Sequence, residues 1–314
     1  MTFSHLKTGA VLAVVLLTTG CNSTFNLSSS GSSRNAELVW GQFGMEDGSF
    51  TKPRVLAIDQ QDRLFIADRS GRIQVFSRDG EFLRKWWLPK YKNGMPSGLT
   101  IDDDGNLLVA DTHYFRMLVY QPDGKLLKDR TIGGFRGYRP GEFNLVTDVD
   151  RDSQGNYYIA EYGEYDRIQK FTPEGEFVLQ WGKLGRKPGE FVRPQNITID
   201  KDDNVWVADA CNHRIQVFSS TGKLLKIWGE EGHEPGMLNY PYDLCLDEKG
   251  HLYVCEFGNS RIQKFTLDGK LRGVWGTYGR DKGQLSRPWS LARDSKGRIH
   301  VIDTYNHRVQ RIRL

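Results

Sequence analysis

The sequence predicts an all-β fold, a six-bladed propeller, and three observations carry that prediction. A phrase recurs six times, clearest as Arg214-Ile215-Gln216-Val217-Phe218 and Arg261-Ile262-Gln263-Lys264-Phe265, with further copies starting at Arg72, Arg116, Arg167 and Arg308. The copies fall 44 to 51 residues apart, and the last three intervals are each 47. A period in this range marks stacked units that cannot bury their faces alone. Each unit also contains four short runs rich in Ile, Val, Phe and Trp, separated by Gly, Asp and Asn, with no stretch of helical period. Four strands per unit in six units is the signature of a propeller.

The fourth unit shows the elements in order. Pro194 to Asp200 alternates apolar and polar residues and breaks at Lys201-Asp202-Asp203-Asn204. Val205 to Asp209 is the second run, Arg214 to Phe218 the third. Thr221-Gly222 then turns the chain into Lys223 to Trp228, because glycine supplies the positive φ of a tight hairpin. The last unit has only three strands before Leu314. Glu37 to Gly44 matches the missing fourth, since Trp40-Gly41 fits the set Trp181-Gly182, Trp228-Gly229 and Trp275-Gly276. The N-terminal strand is therefore expected to complete the last blade and leave no open sheet edge.

Asp303-Thr304-Tyr305-Asn306-His307-Arg308 and Asp209-Ala210-Cys211-Asn212-His213-Arg214 resemble the NHL repeat, with Glu256 to Arg261 as a variant copy. The resemblance covers residues 37–314 and implies the same propeller. It implies less about activity, because NHL propellers include a peptide-amidating lyase, RNA-binding domains and scaffolds.

The first 36 residues read differently. Lys7 precedes an apolar run, Gly9 to Leu17, that is too short to span a bilayer and fits a signal peptide over residues 1–20. Leu17-Thr18-Thr19-Gly20-Cys21 resembles a bacterial lipobox, with Thr18 where Leu is usual. The resemblance implies lipidation of Cys21, a Ser-rich tether over 21–36, and export to a membrane-anchored site, with Asn22 favouring the outer membrane or its periplasmic face. Residues 37–314 form the propeller, expected to be monomeric. A net charge of +4 and 26% charged residues give no field selecting nucleic acid.

The repeat aligns residues into columns. The acids ending each second strand (Asp68, Asp111, Glu161, Asp209, Glu256, Asp303) and the arginines opening each third strand are present in six copies. Catalysis needs one copy of each role, so these read as one bracing pair per blade. Asp59, Asp102, Asp152, Asp200, Asp247 and Asp294 read as turn formers. Function is sought where the columns vary. One column at the channel mouth runs Val55, Gly98, Asp148, Asn196, Asp243, Ser290, and its oxygen-bearing members Asp148, Asn196 and Asp243 suit a hard divalent cation such as calcium. The neighbouring column supplies Arg54, Gln195, Tyr242 and Trp289, and with Glu161 and Tyr162 of the third blade it forms a candidate surface for a small ligand or peptide. Trp86 to Lys92, lacking the glycines of the other exits, is a second candidate contact surface.

The lyase of the NHL family holds zinc through histidines around its channel. None of the seven histidines here falls in the two mouth columns, and no His-Glu-x-x-His, Cys-x-x-Cys or Gly-x-Ser-x-Gly occurs. The sequence thus points to a lipid-anchored envelope module that binds a protein or small ligand at the channel mouth. The alternative is a metal-dependent hydrolase or lyase, lactonase-like or amidating-lyase-like, sited at the same place. Cys245 and Cys255 replace small residues on neighbouring strands, where export would permit a disulfide but the geometry is demanding.

Overall fold

The computed structural model describes residues 35–314, so the expected leader, Cys21 and nearly all of the tether lie outside the described residues. Strands and tight turns make up the described residues from Leu38 onward, with four single-turn 3-10 helices, three of them between a second and a third strand and one, over Lys128–Arg130, ahead of the short fourth strand of blade 2. Six antiparallel four-stranded sheets stand in a ring.

Blade 4 shows why these residues form these elements. Its strands are Pro194–Ile199, Val205–Asp209, Arg214–Phe218 and Leu224–Trp228. Asp200 makes the first hairpin: its Oδ1 accepts the N–H groups of Asp202 and Asn204, each at 2.9 Å. Gly222, at φ +77°, makes the last one. Between the second and third strands a 3-10 turn over Ala210–Asn212 ends on His213 in the left-handed conformation, φ 54°. The turn-forming role expected of the hairpin aspartates recurs at Asp59, Asp152, Asp247 and Asp294.

Trp40 closes the ring. Leu38–Trp40 pairs antiparallel with Arg308–Ile312 as the fourth strand of blade 6, in the register Trp40↔Val309. Ala36, just before it, is already buried in the core between blades 5 and 6.

Apolar side chains fill the seams between neighbouring blades, as in Trp206, Ala208, Leu244, Val254 and Phe265 between blades 4 and 5. In four of the seams the tryptophan of the fourth strand lies against the last aromatic of the next blade's third strand, as in Trp228 on Phe265 at 5.0 Å and Trp181 on Phe218 at 5.8 Å. The same indole covers a hairpin glycine of that next blade: a Cβ on Gly222 would lie 2.9 Å from Trp181, and one on Gly80 2.6 Å from Trp40.

The Cys245–Cys255 pairing is not made. Cys255 stands opposite Asp243 and Cys245 opposite Tyr253, and Cys211, Cys245 and Cys255 are free thiols.

Candidate functional site

The repeated acid and arginine build the wall of the site rather than the site. Arg261 Nε donates to Glu256 Oε1 at 2.6 Å, while its Nη atoms donate to the carbonyls of His233 and Met237 in the loop entering the blade. Gln263 Nε2 joins both partners, donating to Met237 O and Glu256 Oε1. The acid's other oxygen accepts the N–H of Asn239. The Arg-x-Gln phrase is thus a clamp on one loop in five of the blades, and acid–arginine pairs occur in all six. Glu161 belongs to this clamp: its oxygens take Asn144 N–H, Arg167 Nε and Gln169 Nε2. Burial pushes the Glu161 and Glu256 carboxyls up.

Blade 2 leaves its clamp unfinished. Asp111 is buried and takes Arg116 Nε at 2.8 Å, but its Oδ1 has no partner. The loop that supplies an N–H elsewhere is here the glycine-poor exit of blade 1, where Trp87 and Tyr91 pair at 5.6 Å, both partly exposed. Burial raises the Asp111 carboxyl to about 6.

The histidines before the arginines are also structural. His213 Nδ1 accepts the N–H of Tyr240, and His307 Nδ1 that of Lys52. Asp166 and Ser260 do the same for Arg193 and Arg287. All four recipients hold φ between 50° and 60° immediately before the proline that opens the next blade. A side chain reaching across the seam holds that strained backbone in place.

The inner column forms a chain of latches around the channel. Asp148 Oδ2 accepts the N–H of Ile197 at 3.1 Å and Asn196 Nδ2 at 2.6 Å. Asn196 Oδ1 accepts Leu244 N–H, Asp243 Oδ2 accepts Leu291 N–H, and Ser290 Oγ accepts Leu56 N–H. Each side chain therefore binds the backbone of the following blade, one residue past its own repeat position. Val55 and Gly98 have no side chain able to do this, and a Cβ on Gly98 would collide with Asp148 Oδ1. Asp150, two residues deeper, latches onto Ile199 N–H at 2.9 Å.

Burial, and then the charge of Asp243, pushes the Asp148 carboxyl well above the carboxylate range; burial raises Asp243 and Asp150 to about 7. The expected cation-binding trio does stand together. Its oxygens, however, are engaged by backbone N–H groups, and the space beside them is about 10 Å³, one water at most. Among the described residues no group of three or more His, Cys, Asp or Glu is placed to hold a metal. As they stand, these residues do not fit a calcium site, which needs six to eight oxygens.

Aromatic rings roof that space. Tyr242 and Trp289 line it from the mouth side and meet at 4.9 Å, edge to face, and Phe257 stacks on Tyr242 at 4.5 Å. Arginines lie on the rings. The Arg54 guanidinium is 4.5 Å from the Trp289 centroid, and Arg193 sits 4.9 Å from Tyr162 and 5.3 Å from Tyr242. Gln195 orients this group, its Oε1 accepting Arg193 Nε at 2.9 Å. Arg287 lies 5.0 Å from Phe257 and Lys52 4.8 Å from Tyr305. Among the described residues, the only hydrogen bond from any of these four cationic side chains is the one to Gln195, and none of the four makes an ion pair with a carboxylate. Burial, then the like charges of Arg69 and Arg193, push the Arg54 guanidinium below its ordinary value.

Five of the six expected ligand residues thus meet at the mouth, with Glu161 in the clamp beside them. Sequence reasoning missed Lys52, Arg193 and Arg287. They form a column of their own, one residue before the opening proline, and its excess of cations was the available signal.

An all-β ring of six four-stranded blades with its variable residues at one mouth is a β-propeller. NHL repeats are found in four of its six blades: the family pattern matches residues 93–120, 191–218, 238–265 and 285–312. The chain is 35% identical over 132 residues to peptidyl-glycine α-amidating monooxygenase B of Xenopus laevis, covering 38% of this chain and 14% of that protein. It is 35% identical over 127 residues to a probable peptidyl-α-hydroxyglycine α-amidating lyase of Caenorhabditis elegans, covering 38% and 35%. The chain therefore spans about a third or less of the length of these relatives. Among solved structures it superposes on a streptogramin B lyase with a TM-score of 0.59 at 15% identity, covering 87% and 85% of the two chains. A gluconolactonase of Xanthomonas campestris gives 0.61 at 14% identity, covering 85% and 88%. At these identities the structural likeness is one of fold.

Proposed function

We propose that this propeller is a binding module of the cell envelope, held to a membrane through a lipid on Cys21, that engages an acidic protein or peptide with its channel-mouth face. The observation that carries the reading is the mouth itself. Arg54, Arg193, Arg287 and Lys52 lie on aromatic rings with no carboxylate among the described residues paired to them. Planar guanidinium groups held flat in this way present their edges to carboxylates of a partner, a bidentate geometry that lysine cannot copy. Tyr242 and Trp289 block the way into the channel, which favours recognition at the surface over a substrate entering it.

The test is a crosslinking and co-purification experiment from envelope extract with the full chain and with Arg54→Glu/Arg193→Glu. One acidic partner lost in the double variant is the expected result; identical partners for both proteins would overturn the reading. Mass spectrometry of the mature N-terminus tests the anchor, which requires a diacylglyceryl cysteine at position 21.

The second reading is a metal-dependent lyase or lactonase, favoured by the names of the relatives. It needs the Asp148, Asn196 and Asp243 side chains to turn from their backbone partners towards a shared calcium ion. That exchange should raise the melting temperature on adding calcium, by mass action, and should give turnover on lactones or peptidyl-α-hydroxyglycines. A melting curve indifferent to calcium and to chelator, together with no turnover, removes it.

A further inference from the structure

We propose that a cavity in the outer wall between blades 2 and 3 binds the tryptophan side chain of a basic peptide. The site is separate from the channel mouth and does not depend on the function proposed for it.

One side chain of the repeat is missing at this seam. In four of the seams an indole from one blade covers the hairpin glycine of the next: Trp40 on Gly80, Trp86 on Gly124, Trp181 on Gly222 and Trp228 on Gly269. The fit is tight, since a Cβ on any of these glycines would lie 2.6 to 3.0 Å from an indole atom. Blade 2 has Ile132 at this place. The registers Met117↔Ile132 and Ile168↔Trp181 show that it is the same position. Here a Cβ on the facing Gly175 would find its nearest neighbour, Ile132, at 3.6 Å, an ordinary contact.

The backbone departs with the side chain. Six residues separate the glycine from the tryptophan in the other fourth strands, whereas Gly124 and Ile132 are eight apart. The two extra residues are taken up in a 3-10 turn over Lys128–Arg130, which leaves only Ile132–Gly133 as strand.

The result is a cavity of about 520 Å³, within the size range of ligand sites. Ile132 and Phe171 give it an apolar lining, beside Gly175 and the Tyr157 ring, over which the Arg151 guanidinium lies at 5.0 Å. Its shape partner is therefore known from the fold: an indole fills the equivalent space elsewhere. Two arginines reach the site, but both are engaged. Arg130 donates to Tyr157 Oη at 2.5 Å and lies 3.4 Å from Asp102, while Arg151 lies 3.1 Å from Asp102 and 3.5 Å from Asp104. Asp129 and Glu174 remain on the rim, exposed and with no ion pair among the described residues. Three lining carboxylates, Asp104, Asp129 and Glu174, against two arginines leave the rim negative. Apolar lining plus acidic rim selects an aromatic ring flanked by cations, and the cavity, larger than one indole, accommodates the neighbouring residues of a peptide.

The probe is the peptide acetyl-Lys-Trp-Lys-amide carrying a 5-fluorotryptophan, read by fluorine NMR and by calorimetry against the full chain. Saturable binding is expected. Ile132→Trp, which supplies the missing indole from within, should weaken it at least tenfold while raising the melting temperature. Asp129→Asn/Glu174→Gln should weaken it several-fold and reduce its salt dependence. Should Ile132→Trp fail to fold, Ile132→Phe serves as the filling variant. Absence of binding at millimolar peptide, or binding untouched by the filling variant, overturns the proposal.

Discussion

A buried carboxylate serves two opposite ends in this chain, according to what faces it. In the clamps, Glu256 is met by Arg261, Gln263, Asn259 and a backbone N–H, so removing the cation strands a charge in the wall. Arg261→Ala is expected to destabilise the propeller by about 3–5 kcal/mol, measured by denaturant unfolding; a loss under 1 kcal/mol would show the clamp to be idle. In the channel, Asp243 has hydrogen bonds but no cation, and burial lifts it from 3.8 to about 7. The folded state therefore binds a proton more tightly than the unfolded chain does. That contribution is present in full below about pH 3.8 and is lost as the pH rises towards 7, so this residue makes stability fall across that window. Asp243→Asn keeps one acceptor and removes the titration. Melting temperatures taken from pH 4 to 8 should show a smaller fall for the variant than for the parent, and parallel curves would refute the assignment.

At the scale of strands and seams, the sequence reads best where one element is judged by itself. Alternating Ile, Val and Phe between Asp and Gly turns located the strands of blade 4, and the Trp-Gly signature matched Glu37 to Gly44 to the last blade across the whole length of the chain. Contacts between blades were harder to read. The departure of Asp148, Asn196 and Asp243 from Val55 and Gly98 was visible, but its partners are N–H groups of the next blade, which carry no sequence signal. The same holds for the histidines before the arginines, whose ring nitrogens cap backbone across a seam. Trp40 joins both levels: it belongs to the closing strand and packs 4.6 Å from Phe76 in blade 1. Trp40→Ala should cost about 3–5 kcal/mol, and deleting residues 37–44 more, since it also opens a sheet edge. Thermal melts of the two variants in that order of severity are the expected outcome.

For the ring as a whole, stability follows from how the six seams differ. Inner latches tie blades 3 to 4, 4 to 5, 5 to 6 and 6 to 1 through Asp148, Asn196, Asp243 and Ser290. The seams on either side of blade 2 begin at Val55 and Gly98 and lack this tie. Blade 2 also has the unfinished clamp at Asp111, the missing tryptophan at Ile132 and the two-residue outer strand. Other bonds partly compensate: Ser97 Oγ donates to Thr147 O at 2.8 Å, and Arg151 reaches back to Asp102. These lie at the two ends of the seam and leave its outer middle to the cavity. A closed ring has no free end from which to fray, so opening begins at its weakest seam. Hydrogen exchange of the native protein should therefore find residues 116–133 the least protected among the third and fourth strands, and those of blades 4 and 5 the most. Ile132→Trp, by closing the cavity, should slow exchange in blade 2 while leaving blade 5 unchanged. Uniform protection around the ring, or first opening in blade 5, would mean that the latches and indoles do not set the order in which the propeller comes apart.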